Sequence, residues 1–302
     1  MKRIISILSL ISLFCILTGC RVKDSKRFKI VTSCYPIYVM TLNLTKDIPD
    51  VEVVNMCDVN TGCLHNFQLR SEDLKRIESS SAFVVNGAGM ESFLDKVINE
   101  LPKVKIIDSS NGIELIKDGC HHEEEEEHDH CHHEYNPHIW MSLSNYIKQV
   151  QNITEGLKEM DVPHREKYEQ NSSEYVTKLN ELKSSMENDL KVIAGKEVIT
   201  FHEAFPYFAN EFGLKIAGVI NHEPDDEPST KELKEIIELV KEKNIKSLFV
   251  EPQYPQGTAI TIAKETGAKV YTLDSGVTGE ASPDAYIKAM EKNKEVLLEA
   301  LK

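Results

Sequence analysis

From Phe28 onward the chain repeats one rhythm: a short β-branched or apolar run, a turn, then a stretch with apolar residues at helical spacing. The runs predict strands over Phe28–Ser33, Val51–Met56, Ala82–Asn86 and Val104–Ile107, with helices near Pro36–Thr45, Arg70–Ser79 and Met90–Leu101. The rhythm restarts at Glu197–Phe201 and continues through Lys215–Val219, Ser247–Val250 and Lys269–Leu273. Helices near Ala204–Phe212, Lys231–Glu242, Thr258–Thr266 and Asp284–Ala300 complete this second set. Strands that alternate with helices imply βαβ units and parallel sheets.

Between the two sets lies a different segment. From Pro163 to about Val192 there is no glycine and no internal proline, and Tyr168, Tyr175, Leu179, Leu182, Met186 and Leu190 recur at spacings of three, four and seven. That period predicts one long amphipathic helix, with Pro163 in its first turn and Gly195 as its stop. The expected fold class is therefore α/β: two parallel-sheet lobes, residues 28–162 and 193–302, joined by a backbone helix over 163–192. A separate coiled-coil dimer is the competing reading of the helix, but its heptad is sustained too briefly.

The N-terminus sets the compartment. Lys2 and Arg3 precede the apolar stretch Ile4–Leu17, and Leu17-Thr18-Gly19-Cys20 has the small residues before cysteine of a bacterial lipoprotein processing site. The stretch is shorter than the roughly 20 residues that a membrane span needs. Residues 1–19 are expected to be removed, Cys20 to carry lipid, and residues 20–27 to tether the fold to the outer face of a membrane. Loss of Lys2 and Arg3 leaves 33 basic against 49 acidic residues, taking the net charge from −14 to −16. That balance argues against a nucleic-acid partner.

The chemistry points to a transition metal. Six histidines, His121, His122, His128, His130, His132 and His133, crowd into thirteen positions, broken by the acidic run Glu123–Glu127 and accompanied by Cys120 and Cys131. Imidazole and thiolate bind such metals well, and a tract this dense in both has few uses in a packed core. Cys57 with Cys63, and Cys120 with Cys131, either close short disulfide loops or stay reduced, the latter pair as soft ligands. Five histidines lie outside the tract: His65, His138, His164, His202 and His222. His65 falls in a loop after the second strand and His202 directly follows a strand, where parallel sheets build their sites; His138 follows the tract. His164 reads as a solvated residue at the start of the long helix, and His222 as part of an exposed acidic loop.

At these residues the chain resembles a known family. Thr32-Ser33-Cys34-Tyr35-Pro36, Gly62–Asn66, Val85-Asn86-Gly87-Ala88-Gly89-Met90-Glu91, Asn136-Pro137-His138-Ile139-Trp140, Thr200-Phe201-His202-Glu203-Ala204-Phe205-Pro206-Tyr207, Glu227–Thr230 and Leu273-Asp274 are similar to landmarks of the metal-binding solute-binding proteins of bacterial ABC transporters. Within them the chain looks like the zinc-uptake branch, ZnuA-like and adhesin-like lipoproteins. The resemblance implies a metal site in the cleft between the lobes, with His65, His138 and His202 as ligands and Asp274 as the fourth. Glu251, which also ends a strand, is the runner-up. It further implies that the tract is an auxiliary arm, that the partners are a permease and its ATPase, and that the protein is a monomer and not an enzyme. Asn136 stands where the family usually has aspartate, and Ser275 where it usually has proline.

Three imidazoles and one carboxylate suit Zn2+, whose filled d shell imposes no other geometry, whereas manganese prefers more oxygen. The expected function is extracytoplasmic capture of Zn2+ and its delivery to a permease. Manganese or iron carriage by the same family is the alternative. A surface metal buffer or adhesin is secondary. A zinc hydrolase is disfavoured, because the histidine that would complete a zincin helix after His202-Glu203 would occupy position 206, which is proline.

Overall fold

The computed structural model describes residues 27–302 apart from 62–63, 65–66, 118–133 and 221–227. The expected leader, Cys20, the tether, His65, Cys63, His222 and the His-rich tract with Cys120 and Cys131 lie outside the described residues. Among the described residues, no helix is long and apolar enough to cross a membrane.

Among the described residues, two four-stranded parallel sheets form the framework. In the first, β1 (Phe28–Thr32), β2 (Val51–Asn55), β3 (Ala82–Val85) and β4 (Ile106–Asp108) take the order β2-β1-β3-β4. In the second, β5 (Glu197–Thr200), β6 (Lys215–Val219), β7 (Ser247–Val250) and β8 (Lys269–Thr272) repeat it as β6-β5-β7-β8. The central strands β3 and β7 are buried at every position, as expected where helices cover both faces of a parallel sheet. In each sheet the order reverses between the first and third strands, and such switch points open a crevice at the C-terminal strand ends.

The helices of the first lobe are α1 (Tyr35–Leu44), α2 (Ser71–Glu78), α3 (Leu94–Glu100) and α4 (Leu143–Met160). The sequence reading places no element over α4, yet it is an 18-residue helix. Ser142 accepts a hydrogen bond from the Asn145 N–H at its start, and Leu143, Tyr146, Val150, Ile153 and Leu157 form its buried stripe. The expected long helix is α5 (Arg165–Leu190), entered and left through short 3-10 turns, so the connection runs from Val162 to Ile193. Its apolar stripe packs against α1, α4 and the C-terminal helix of the same chain, which removes the surface a coiled-coil partner would need.

The second lobe carries α6 (Pro206–Phe212), α7 (Thr230–Glu242), α8 (Gly257–Thr266) and α9 (Ala285–Leu301). Ser229 and Glu232 form a reciprocal capping box at the start of α7. Gly213 and Gly267 stop α6 and α8 in the left-handed conformation, where a side chain would be strained. The faces of the second sheet belong to different cores. Val198 and Phe249 join a large core continuous with the first lobe, whereas Ile199, Leu248 and Val250 face a smaller one closed by α7 and α8.

Candidate metal centre

Both switch points contribute to one buried region. In the first lobe, Ser33 follows β1 and Asn86 follows β3, and the turn after β3 is held by Glu91. Its carboxylate accepts from the Ser33 hydroxyl (2.6 Å) and from the backbone N–H groups of Asn86 (2.7 Å) and Gly87 (3.0 Å). Asn86, fixed by Gln149 of α4, donates to the carbonyl of Pro137 at 3.0 Å. The segment carrying His138 is thereby docked on the first sheet. A 3-10 turn, Ile139–Met141, follows it and buries Trp140 completely.

In the second lobe, His202 follows β5 and Glu251 follows β7, so they flank the second switch point. They are 2% and 1% exposed, and the two carboxylate oxygens lie 3.3 and 3.2 Å from Nδ1 of His202. Gln253 donates to Oε1 of Glu251, while Oε2 accepts no hydrogen bond among the described residues. The rings of His138 and His202 meet edge to face with centroids 4.7 Å apart. Asn136 Oδ1 lies 3.1 Å from Nδ1 of His138. Each histidine therefore turns Nδ1 toward an oxygen acceptor, which makes Nε2 the nitrogen with the lone pair. Metal-binding histidines commonly have this arrangement.

Asp274 follows β8. Its backbone is clamped by Asn293 of α9, which accepts from the Asp274 N–H at 2.8 Å and donates to its carbonyl at 2.7 Å. Burial pushes its carboxyl above the ordinary aspartate value, the Gly276 N–H draws it back, and the neighbouring charge of Glu251 pushes it further up. A carboxyl whose charge is made costly by burial and a second acid is suited to a cation.

The sequence-derived candidates thus divide. His138, His202 and Glu251 meet at the junction between lobes, Asp274 is linked to them through the charge of Glu251, and His65 lies outside the described residues. Among the described residues, no three His, Cys, Asp or Glu side chains are grouped closely enough to hold an ion. His164 is elsewhere: it pairs with Asp161 at 2.7 Å at the entrance to α5, a helix-terminus contact and not a simply solvated side chain. Cys57, for which a disulfide with Cys63 and a reduced thiol were both open, is free and buried among the described residues, as is Cys34, and Cys63 lies outside them. Burial, with the charge of Asp73 next, pushes the Cys57 thiol up to about 12, and burial with Glu91 raises Cys34. Thiols held protonated are poor competitors for a metal.

Sequence reasoning missed the roles of Asn86, Gln149 and Tyr207 around His138. The hydroxyl of Tyr207 donates to the carbonyl of Asn136 (2.8 Å) and accepts from the N–H of Ile116 (3.0 Å). Asn86 and Tyr207 lay inside recognised motifs, but nothing local signals partners fifty or more residues away.

A family model described as zinc-uptake complex component A, periplasmic, matches residues 30–300. The zinc-binding lipoprotein AdcA of Streptococcus pneumoniae is 32% identical over 308 residues, covering 98% of this chain and 60% of that protein. The high-affinity zinc uptake system protein ZnuA of Bacillus subtilis is 33% identical over 293 residues, covering 92% of this chain and 89% of the relative. The crystal structure of Zn(II)-bound AdcA from Streptococcus pneumoniae superposes with a TM-score of 0.78 at 29% identity, over 91% of this chain and 58% of that one. The chain therefore spans about three fifths of the pneumococcal relative's length.

Proposed function

Because the chain belongs to the zinc-uptake complex component A family, we propose that it is the extracytoplasmic zinc-binding component of a bacterial ABC transporter, which captures Zn2+ and hands it to a membrane permease and its ATPase. The observation that supports this reading is the His138–His202 pair, one histidine docked on each lobe's switch point and each with Nδ1 turned to an acceptor. His65 and Asp274 complete an N3O set for zinc. In this assignment Glu251 orients His202, because its carboxylate is already engaged with Nδ1. The tract with His121, His122, His128, His130, His132 and His133 is an auxiliary arm, and lipid on Cys20 holds the monomer at the outer membrane face.

The carrying experiment is metal analysis and competitive zinc titration of the soluble form, residues 21–302. His138→Ala and His202→Ala are expected to abolish the tight site, while deletion of Cys120–His133 leaves one tight site intact. Tight binding that vanishes with the tract yet survives His138→Ala would overturn the assignment.

A further inference from the structure

Asn136 stands where an aspartate is usual in the resembling family, and the structure gives the amide work at both ends. Oδ1 accepts from the backbone N–H of His138 at 3.0 Å and lies 3.1 Å from its Nδ1. Nδ2 donates at 2.7 Å to the carbonyl of Glu203, the residue next to His202 in the second lobe. These partners leave one amide orientation. If it were reversed, an NH2 would face the His138 N–H and an oxygen would face the Glu203 carbonyl, two repulsive pairs. With Oδ1 accepting, Nδ1 of His138 must carry the proton and Nε2 the lone pair.

An aspartate could supply only half of this. A carboxylate accepts from His138, but it has no donor for Glu203 and would set an anionic oxygen against a carbonyl in a buried place, where Asn136 is 2% exposed. The backbone of Asn136 is fixed independently: its N–H donates to Ile116 (2.9 Å), and its carbonyl accepts from Tyr207 of α6. The far end of the same segment is tied across as well, with the Trp140 indole donating to the Ser275 carbonyl and the Tyr286 hydroxyl donating to the Trp140 carbonyl, both at 2.8 Å.

We propose that Asn136 is a positioning residue that sets the ligating nitrogen of His138 and, through Glu203, holds that nitrogen in register with His202. This rests on the reading of His138 as a zinc ligand. The amide thus does two jobs at once, accepting from His138 in one lobe and donating to Glu203 in the other.

The test uses the soluble form, residues 21–302, as wild type, Asn136→Asp, Asn136→Leu and His138→Ala. Long-range 1H–15N correlation spectra of the metal-free protein read the tautomer of His138, and a chromophoric chelator reads zinc affinity. Wild type is expected to show His138 protonated on Nδ1. Asn136→Asp is expected to keep that tautomer while its zinc affinity falls by about 10-fold, the lost Glu203 bond and the repulsion of the Glu203 carbonyl outweighing the charge the carboxylate adds beside His138. Asn136→Leu is expected to lose the tautomer preference and fall toward about 100-fold, the range seen when partners of metal-ligating histidines are removed. Protonation of wild-type His138 on Nε2 overturns the proposal whether or not the variants fold. Unchanged affinity in Asn136→Asp overturns the part played by Glu203, and unchanged tautomer and affinity in Asn136→Leu overturn the whole. If zinc affinity is unchanged in His138→Ala, the ligand assignment fails instead, a result distinct from the others.

Discussion

Glu91 shows how one side chain can organise a turn and still be uncomfortable. Burial pushes its carboxyl up to about 7, against the hydrogen bonds from Ser33, Asn86 and Gly87, which draw it down, while Asp108 adds a further upward push. In the unfolded chain a glutamate titrates near 4.3. The folded state therefore holds the proton more tightly, and the contribution of Glu91 to stability is full below about 4.3 and is lost as pH rises toward about 7. Urea denaturation across that window should show wild type losing ground relative to Glu91→Gln, with a constant difference above it. A flat difference throughout would mean that the hydrogen bonds cancel the burial. At pH 5, where the wild-type carboxyl is largely protonated, Glu91→Gln is expected to cost about 1–3 kcal/mol, because its NH2 faces a backbone donor. At the proposed metal centre, Asp274→Ala should weaken zinc binding more than Glu251→Gln if, as proposed, the first is a ligand and the second orients His202. The reverse order in a competitive titration would exchange the two roles.

At the scale of elements, α4 sets helix propensity against packing. Alanine in place of a helical glycine favours the helix by about 1 kcal/mol. At Gly156, however, an added Cβ would sit 2.8 Å from two carbons of Ile107 on β4. Overpacking of this kind costs about 1–3 kcal/mol, so Gly156→Ala is expected to destabilise, and thermal melts should show a lowered midpoint. That close approach also explains part of what the sequence reading could not see. The α5 helix was legible because Tyr168, Tyr175, Leu179, Leu182, Met186 and Leu190 mark its face over many turns without a glycine or proline. The α4 segment carries an equally regular stripe, yet its Asn, Gln, Thr and Gly residues obscure it, and tertiary contact overrides their weak propensity. His138 and His202 were legible as candidates because each occupies a strand-end or motif position. The role of the Asn136 amide is invisible in the sequence, since its second partner is Glu203, 67 residues away. A contact of that separation exists only once both lobes are built.

The whole molecule is laced across its lobes. Glu211 of α6 accepts from the N–H groups of Leu143 and Ser144 at the start of α4, at 2.6 and 3.0 Å, and from the Ser144 hydroxyl. A second-lobe carboxylate thus serves the positive end of a first-lobe helix. Glu211→Ala is expected to cost about 1.5–3 kcal/mol, the range for hydrogen bonds to charged groups, measured by urea unfolding. Tyr286 of α9 stacks on Tyr146 of α4 with centroids 3.6 Å apart, and the Tyr146 hydroxyl meets that of Tyr175 on α5 at 3.0 Å. The large core that runs through these contacts, from Ile30 of β1 to Leu297 of α9, has a thermodynamic consequence. The two lobes share the larger core, so heating should melt it in one calorimetric transition, with the small second-lobe core beneath α7 and α8 opening at lower free energy in hydrogen exchange. Severing the chain after Leu190 would yield two fragments with unfinished interiors, neither able to fold alone.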